Sequence, residues 1–180
     1  MSRSDTLKLY SFSHKNTSLE ERDALAFSSE EAAAFVADLR ARTNVEAAVL
    51  STCNRTEFYL YGHPGATAWN AVEPRIAARK DLCADLIPEP YAAKNNDAAR
   101  HLFRVSASLE SLALGENQIL GQVKDAHEVL HDVPGKFSTL DRLFQYAVRA
   151  GKQVRTDTRL CEGTVSVSSV AVELAEKIFG

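Results

Sequence analysis

Val45-Glu46-Ala47-Ala48-Val49-Leu50, then Ser51-Thr52-Cys53-Asn54-Arg55, then Thr56-Glu57-Phe58-Tyr59-Leu60-Tyr61-Gly62: residues 45–62 decide the fold. The first run is apolar apart from Glu46, the pattern of a strand covered on both faces. The last run is rich in β-formers and ends at a glycine. Two strands this close in sequence place Cys53-Asn54-Arg55 at or near a strand-to-strand turn. Upstream, Leu7-Lys8-Leu9-Tyr10-Ser11-Phe12 alternates with period 2, as a strand with one buried face does. Residues 18–41 read as one helix, acidic at its start and alanine-rich from Glu30 to Arg40.

From Gly65 onward the periodicity is helical. Trp69, Val72, Ile76 and Cys83 share one stripe, which Pro88 and Pro90 stop. Ala98, Leu102, Val105, Leu109 and Leu112 mark a second helix. Ile119, Val123, Ala126 and Leu130 mark a third, ended by Pro134-Gly135, and Leu143, Phe144, Ala147, Val148 and Val154 mark a fourth. Val165 to Phe179 starts another helix that stops at Gly180 without a terminating signal. Early strands followed by helices predict an α+β domain. Its sheet is antiparallel, with helices on one side that continue into a helical subdomain.

The chain has 180 residues, 45% apolar and 25% charged, enough to bury a core without metals or disulfides. No apolar run reaches the roughly 18 residues of a membrane span, and the N-terminus has no secretory h-region. With 21 basic against 24 acidic residues the net charge is −3, which argues against a non-specific nucleic-acid coat. A selective contact through one basic face stays open. Cys53, Cys83 and Cys161 are three thiols without paired spacing, as in a reducing, cytoplasmic setting.

Cys53 has two readings. As a nucleophile it would sit among the backbone N–H groups of a strand end, with Arg55 placed to grip a carboxylate. As a structural residue it would be a small buried thiol beside a turn arginine. Cys83 and Cys161 have no partner in sequence. His101, at the edge of an apolar stripe, is a semi-buried histidine or, with a cysteine, a proton-transfer group. Arg142, Arg149, Lys152, Arg155 and Arg159 recur at intervals of 7, 3, 3 and 4, either as a solvated helix face or as a phosphate-tracking stripe.

His127-Glu128-Val129-Leu130-His131 matches H-E-x-x-H, in which two histidines one turn apart bind zinc. A third ligand is not evident: the extended motif would need glycine at 134 and histidine at 137, where Pro134 and Phe137 stand. Glu162 and Glu173 are conceivable, but nothing singles either out, so the histidines read as part of a solvated helix face and no metal is expected. The eight glycines include no G-x-G, so no dinucleotide fingerprint is present.

Several phrases together resemble the glutamyl-tRNA reductases. They are Glu21-Arg22 with Ala26-Phe27, Val49 to Glu57, His101-Leu102-Phe103-Arg104-Val105 and Glu110 to Glu116. Gln118 to Lys124, Gly151 to Thr156 and Val165-Ser166-Val167-Ser168 complete the series. The resemblance implies a ferredoxin-like sheet with packed helices, extended by a helical subdomain and the start of a long linker helix. It divides the chain into a catalytic domain over 1–160 and a linker over 161–180. It implies that Cys53 attacks the ester of glutamyl-tRNA(Glu) to form a thioester, and that NADPH reduces this to glutamate-1-semialdehyde in tetrapyrrole (5-aminolevulinate) biosynthesis.

By the same resemblance His101 assists catalysis, and Thr52, Asn54, Arg55, Ser111, Glu116, Asn117, Gln118 and Gln122 hold the glutamyl group. Charge suggests Glu116 for its ammonium and Arg55 for its carboxylate. Arg142, Arg149, Lys152, Arg155 and Arg159 become candidates for tRNA contact. NADPH belongs to a domain outside this chain, as does the homodimer contact. The expectation is therefore a largely monomeric piece that acylates and slowly hydrolyses, with glutamate-1-semialdehyde aminomutase as a further partner. Two segments depart from the family pattern: Asn117 replaces a usual proline, and Ala107-Ser108-Leu109-Glu110-Ser111 replaces a usual S-G-L-D-S. A non-catalytic module for tRNA or a protein partner, and a zinc hydrolase on His127 and His131, are the competing readings.

Overall fold

A computed structural model describes residues 5–112, 115–116, 118–133, 138–158, 160 and 175–179. Four strands, β1 (Thr6–Ser13), β2 (Glu46–Thr52), β3 (Arg55–Gly62) and β4 (Tyr91–Lys94), form one sheet in the order β2-β3-β1-β4. Every neighbouring pair is antiparallel. With α1 (Leu19–Ala24) and α2 (Ser29–Thr43) between β1 and β2, and α3 (Trp69–Lys80) between β3 and β4, this is the split βαβ order of a ferredoxin-like sheet. Three more helices follow: α4 (Asn95–Ser106), α5 (Gln118–Asp132) and α6 (Ser138–Asp157).

The predicted helix over 18–41 is two helices. Ser18 with Glu21 and Ser28 with Glu31 each close a capping box, and a second box in mid-run starts a second helix. The chain between them buries Leu25 and Phe27, and Ser51 of β2 accepts the Phe27 N–H at 2.9 Å. Helix α3 ends at Lys80, because Asp81 turns left-handed at φ 51°, so Cys83 lies past the stripe and is exposed. Helix α4 stops at Ser106, whose hydroxyl bonds back to the Leu102 and Phe103 carbonyls. Leu109 and Leu112 therefore lie beyond it and are exposed.

Helices cover both faces of the sheet, not one. On β3 the alternation of the strand sends Phe58 and Tyr59 to opposite sides. Phe58 meets Phe27 and Phe35 at ring-centroid distances of 5.5 and 5.3 Å on the α2 side. Phe12 meets Trp69 of α3 on that same side at 5.8 Å. Tyr59 instead meets Phe144 of α6 at 5.5 Å, edge to face. Val45 to Leu50 is buried throughout because both faces of β2 are covered.

Glu46, the one charge in that run, is explained by α6. Its Oε2 accepts the N–H groups of Thr139 and Leu140 at 3.0 and 2.8 Å, two of the orphan donors at the helix start. A carboxylate there also complements the helix dipole. Glu46→Ala is expected to cost about 1–2 kcal/mol in urea unfolding, and Glu46→Gln less. An unchanged midpoint for the alanine variant would remove this account of α6.

Candidate active site

The β2–β3 hairpin turns in two residues, Cys53 and Asn54, with Thr52 paired to Arg55. Thr52 Oγ1 accepts the Asn54 N–H at 3.2 Å, and the Asn54 carbonyl accepts the His14 N–H at 3.1 Å. The turn is thus tied to β2 on one side and to the end of β1 on the other. Cys53 stands exposed on it, so the buried-thiol reading does not hold.

Arg55 opens β3 and is 2% exposed. Its Nη1 donates to Glu57 Oε1 at 2.9 Å, and its Nη2 donates to the Glu110 carbonyl after α4. Glu57 is fully buried and accepts from four side chains. Beside Arg55 these are Ser11 Oγ at 3.1 Å, Tyr59 OH at 2.7 Å and His101 Nε2 at 2.8 Å. Burial alone would raise its pKa. The His101 hydrogen bond and charge, the Arg55 charge and the Tyr59 hydroxyl overcome that and hold it down at about 2.

His101 comes from α4, 15% exposed, with Tyr91 of β4 against its ring at 5.8 Å. Both line an open recess of about 570 Å³, with the cationic side chains of Lys8, Lys94, Arg100 and Arg104 around it. Glu110 closes one side, bonded to Lys15 and to Arg104, and these two cations hold its carboxyl low against the opposing effect of burial. His14, next to the hairpin, has its Nδ1 buried without a hydrogen-bond partner among the described residues. Burial, then the charges of Arg55 and Lys15, lower its pKa and favour the neutral imidazole.

Ser108 takes a left-handed φ of 62° at the position where the family pattern has glycine. That backbone costs a serine roughly 1 kcal/mol, and its Oγ bond to the Glu116 carbonyl at 2.7 Å offsets part of the cost. Arg155 Nη2 reaches the same carbonyl at 3.1 Å, so this member of the basic series braces the loop. Arg142, Arg149 and Lys152 are exposed on α6, and so is Tyr146. Ser111 Oγ is buried with no partner among the described residues. Gln118 is exposed at the start of α5, and Gln122 lines a recess of about 110 Å³ with Phe27 and Ser51. Asn117, Arg159, Cys161, residues 134–137 and residues 161–174 lie outside the described residues.

The structure thus brings Arg55 and His101 together through Glu57, which Tyr59 and Ser11 also hold; the sequence reading did not single out these three residues. Their signal was there: Arg55, Glu57 and Tyr59 alternate as polar groups on one side of the strand, opposite Thr56, Phe58 and Leu60. His14 carried no such signal. His127 is not solvated as expected: it is 16% exposed and bonded to Asp141.

The sequence model described as "Glutamyl-tRNAGlu reductase, N-terminal domain" matches residues 10–158. The chain belongs to this family. It is 40% identical over 183 residues to a glutamyl-tRNA reductase of Chromohalobacter salexigens, covering 97% of this chain and 41% of that protein. It is 44% identical over 170 residues to one of Chlorobaculum parvum, covering 92% and 39%. The solved glutamyl-tRNA reductase from Methanopyrus kandleri superposes with a TM-score of 0.73 at 33% identity, covering 97% of this chain and 40% of that one. The chain therefore spans about two fifths of the length of its relatives. No helix among the described residues is long and apolar enough to cross a membrane.

Proposed function

We propose that this chain performs the acyl-transfer half of glutamyl-tRNA reduction. The observation that carries it is an exposed thiol, Cys53, on a two-residue turn whose next residue is locked into the buried Arg55–Glu57–His101 network. A thiol gives up its proton to become the attacking thiolate. Neutral His14, bonded through its backbone to the turn, is the nearby acceptor. The thiolate sulfur bonds the ester carbonyl carbon, the carbon–oxygen bond to the terminal ribose breaks, and that ribose oxygen takes the proton back from His14 as tRNA leaves. Because His101 Nε2 is held by Glu57, its Nδ1 is the nitrogen left to serve the substrate.

The buried Ser111 hydroxyl, without a partner among the described residues, favours a substrate group beside it, since leaving it unbonded costs about 1–3 kcal/mol. Thr52, Asn54, Arg55, Glu116, Asn117, Gln118 and Gln122 complete the proposed glutamyl site. The cationic recess beside His101 suits phosphates of the acceptor end, and Arg142, Arg149, Lys152 and Arg155, with Arg159, suit the tRNA body. The described residues do not fit NADPH: the sheet is antiparallel and has no glycine-paired strand-to-helix turn. Hydride transfer is therefore assigned to a part of the protein outside this chain.

Intact mass after brief mixing with glutamyl-tRNA at mildly acidic pH tests this reading. A glutamyl adduct is expected on the wild type and none on Cys53→Ser. An adduct that persists on Cys53→Ser, or none on either protein, would overturn it.

A further inference from the structure

The H-E-x-x-H segment of α5 finds a third donor that the sequence did not reveal. Among the described residues, which do not include Glu162 and Glu173, it is Asp141, from the first turn of α6. Its Oδ1 lies 2.7 Å from His127 Nε2 and 3.4 Å from His131 Nε2. One donor atom from each of the three falls within 4.8 Å of the others. Donors bound at about 2.0–2.1 Å in a tetrahedral zinc site stand roughly 3.3 Å apart. The two histidine–carboxylate distances bracket that spacing, and the two imidazole donors, within 4.8 Å of each other, need to approach by at most about 1.5 Å to close on an ion.

The donors are also held in place. The His127 ring stacks on Phe144, 12° from parallel, and packs edge-on against His131 at 5.0 Å. Gln145 Nε2 donates to the other carboxylate oxygen of Asp141 at 2.9 Å, the kind of outer bond that aims a metal-binding carboxylate. His131 is 61% exposed, so an ion can enter from solvent and keep water at its fourth position.

We infer that His127, His131 and Asp141 form a binding site for a divalent first-row transition ion, which clips α5 to α6. The chemistry is that of two imidazoles and a carboxylate, which suits Zn²⁺. Binding breaks the His127 Nε2–Asp141 Oδ1 hydrogen bond, and its proton passes to the other ring nitrogen or to water, so no other reactant is needed. The site is separate from Cys53 and does not depend on the acyl-transfer reading.

The test is calorimetric titration of this chain with Zn²⁺ at neutral pH, paired with thermal unfolding. One ion per chain and a raised unfolding temperature are expected. Gln145→Ala should weaken binding about tenfold, and His131→Ala and Asp141→Asn by more. His131 is exposed, so its variant retains the fold for comparison. A chain with all three cysteines changed to serine should bind as the wild type does. Absence of binding, binding that survives both His131→Ala and Asp141→Asn, or binding lost with the cysteines would each overturn the inference.

Discussion

Glu57→Gln is expected to slow acylation of Cys53 by roughly 10²-fold or more, while tRNA binding changes little. The carboxylate accepts from Ser11, Arg55, Tyr59 and His101, and all four donors converge on it. A glutamine at this place turns an N–H₂ group toward donors, leaving at least one of them unpaired in the interior. It also removes the charge that sets which nitrogen of His101 carries its proton. Rapid-quench measurement of adduct formation on the intact protein reads the effect. A Glu57→Gln variant that acylates at the wild-type rate would show that the network only braces the fold.

The same substitution has a stability signature in pH. The carboxyl is held at about 2 in the folded protein against an ordinary value of 4.5, so its folded pKa is depressed. Its contribution is fully present above 4.5 and drains away as pH falls from 4.5 toward 2. That difference corresponds to roughly 3 kcal/mol. Urea midpoints of the wild type should therefore fall across this window more steeply than those of Glu57→Gln. Parallel slopes would remove the charged pair from the account.

Gly151→Ala is expected to lower stability by about 2 kcal/mol, or roughly 4–8 °C in melting temperature. A β-carbon at Gly151 would stand 2.5 Å from the Ser106 carbonyl oxygen and 2.9 Å from Leu120 Cδ1. Backbone cannot swing aside as a side-chain tip does, so α6 must move off the end of α4. Helix propensity works the other way, favouring alanine by about 1 kcal/mol, and is outweighed by the clash. Gly121, on α5, is the control, because a β-carbon there meets nothing within 4 Å. Gly121→Ala should stabilise by up to about 1 kcal/mol. A Gly151→Ala variant as stable as the wild type, or more so, would mean the α4–α6 contact is not close-packed.

The hairpin and β1 were legible because period-2 alternation and β-forming residues sit in the strands themselves. Strand β4 was not: Tyr91-Ala92-Ala93-Lys94 has little β signal, and only its pairing with β1, remote in sequence, makes it a strand. The break between α1 and α2 was readable, since S-x-x-E occurs at both Ser18 and Ser28. Glu46 stood out as a charge in an apolar run, but its partner lies 93 residues away at Thr139. Cys53 and His101 were legible as residue types within a family pattern. Glu57 and His101 are 44 residues apart, and tertiary packing alone unites them.

The shortness of β4 bears on how this protein behaves when concentrated. As the last strand of the sheet it offers unpaired backbone groups over only four residues, Tyr91 to Lys94. Asn95 then turns left-handed at φ 49°, and its Oδ1 takes the Leu7 N–H at 3.2 Å in place of a further rung. An edge this brief, ending in a lysine, is a poor template for a second chain to pair with. Self-association through continuous sheets is thereby discouraged at this edge of the sheet, the one opposite β2.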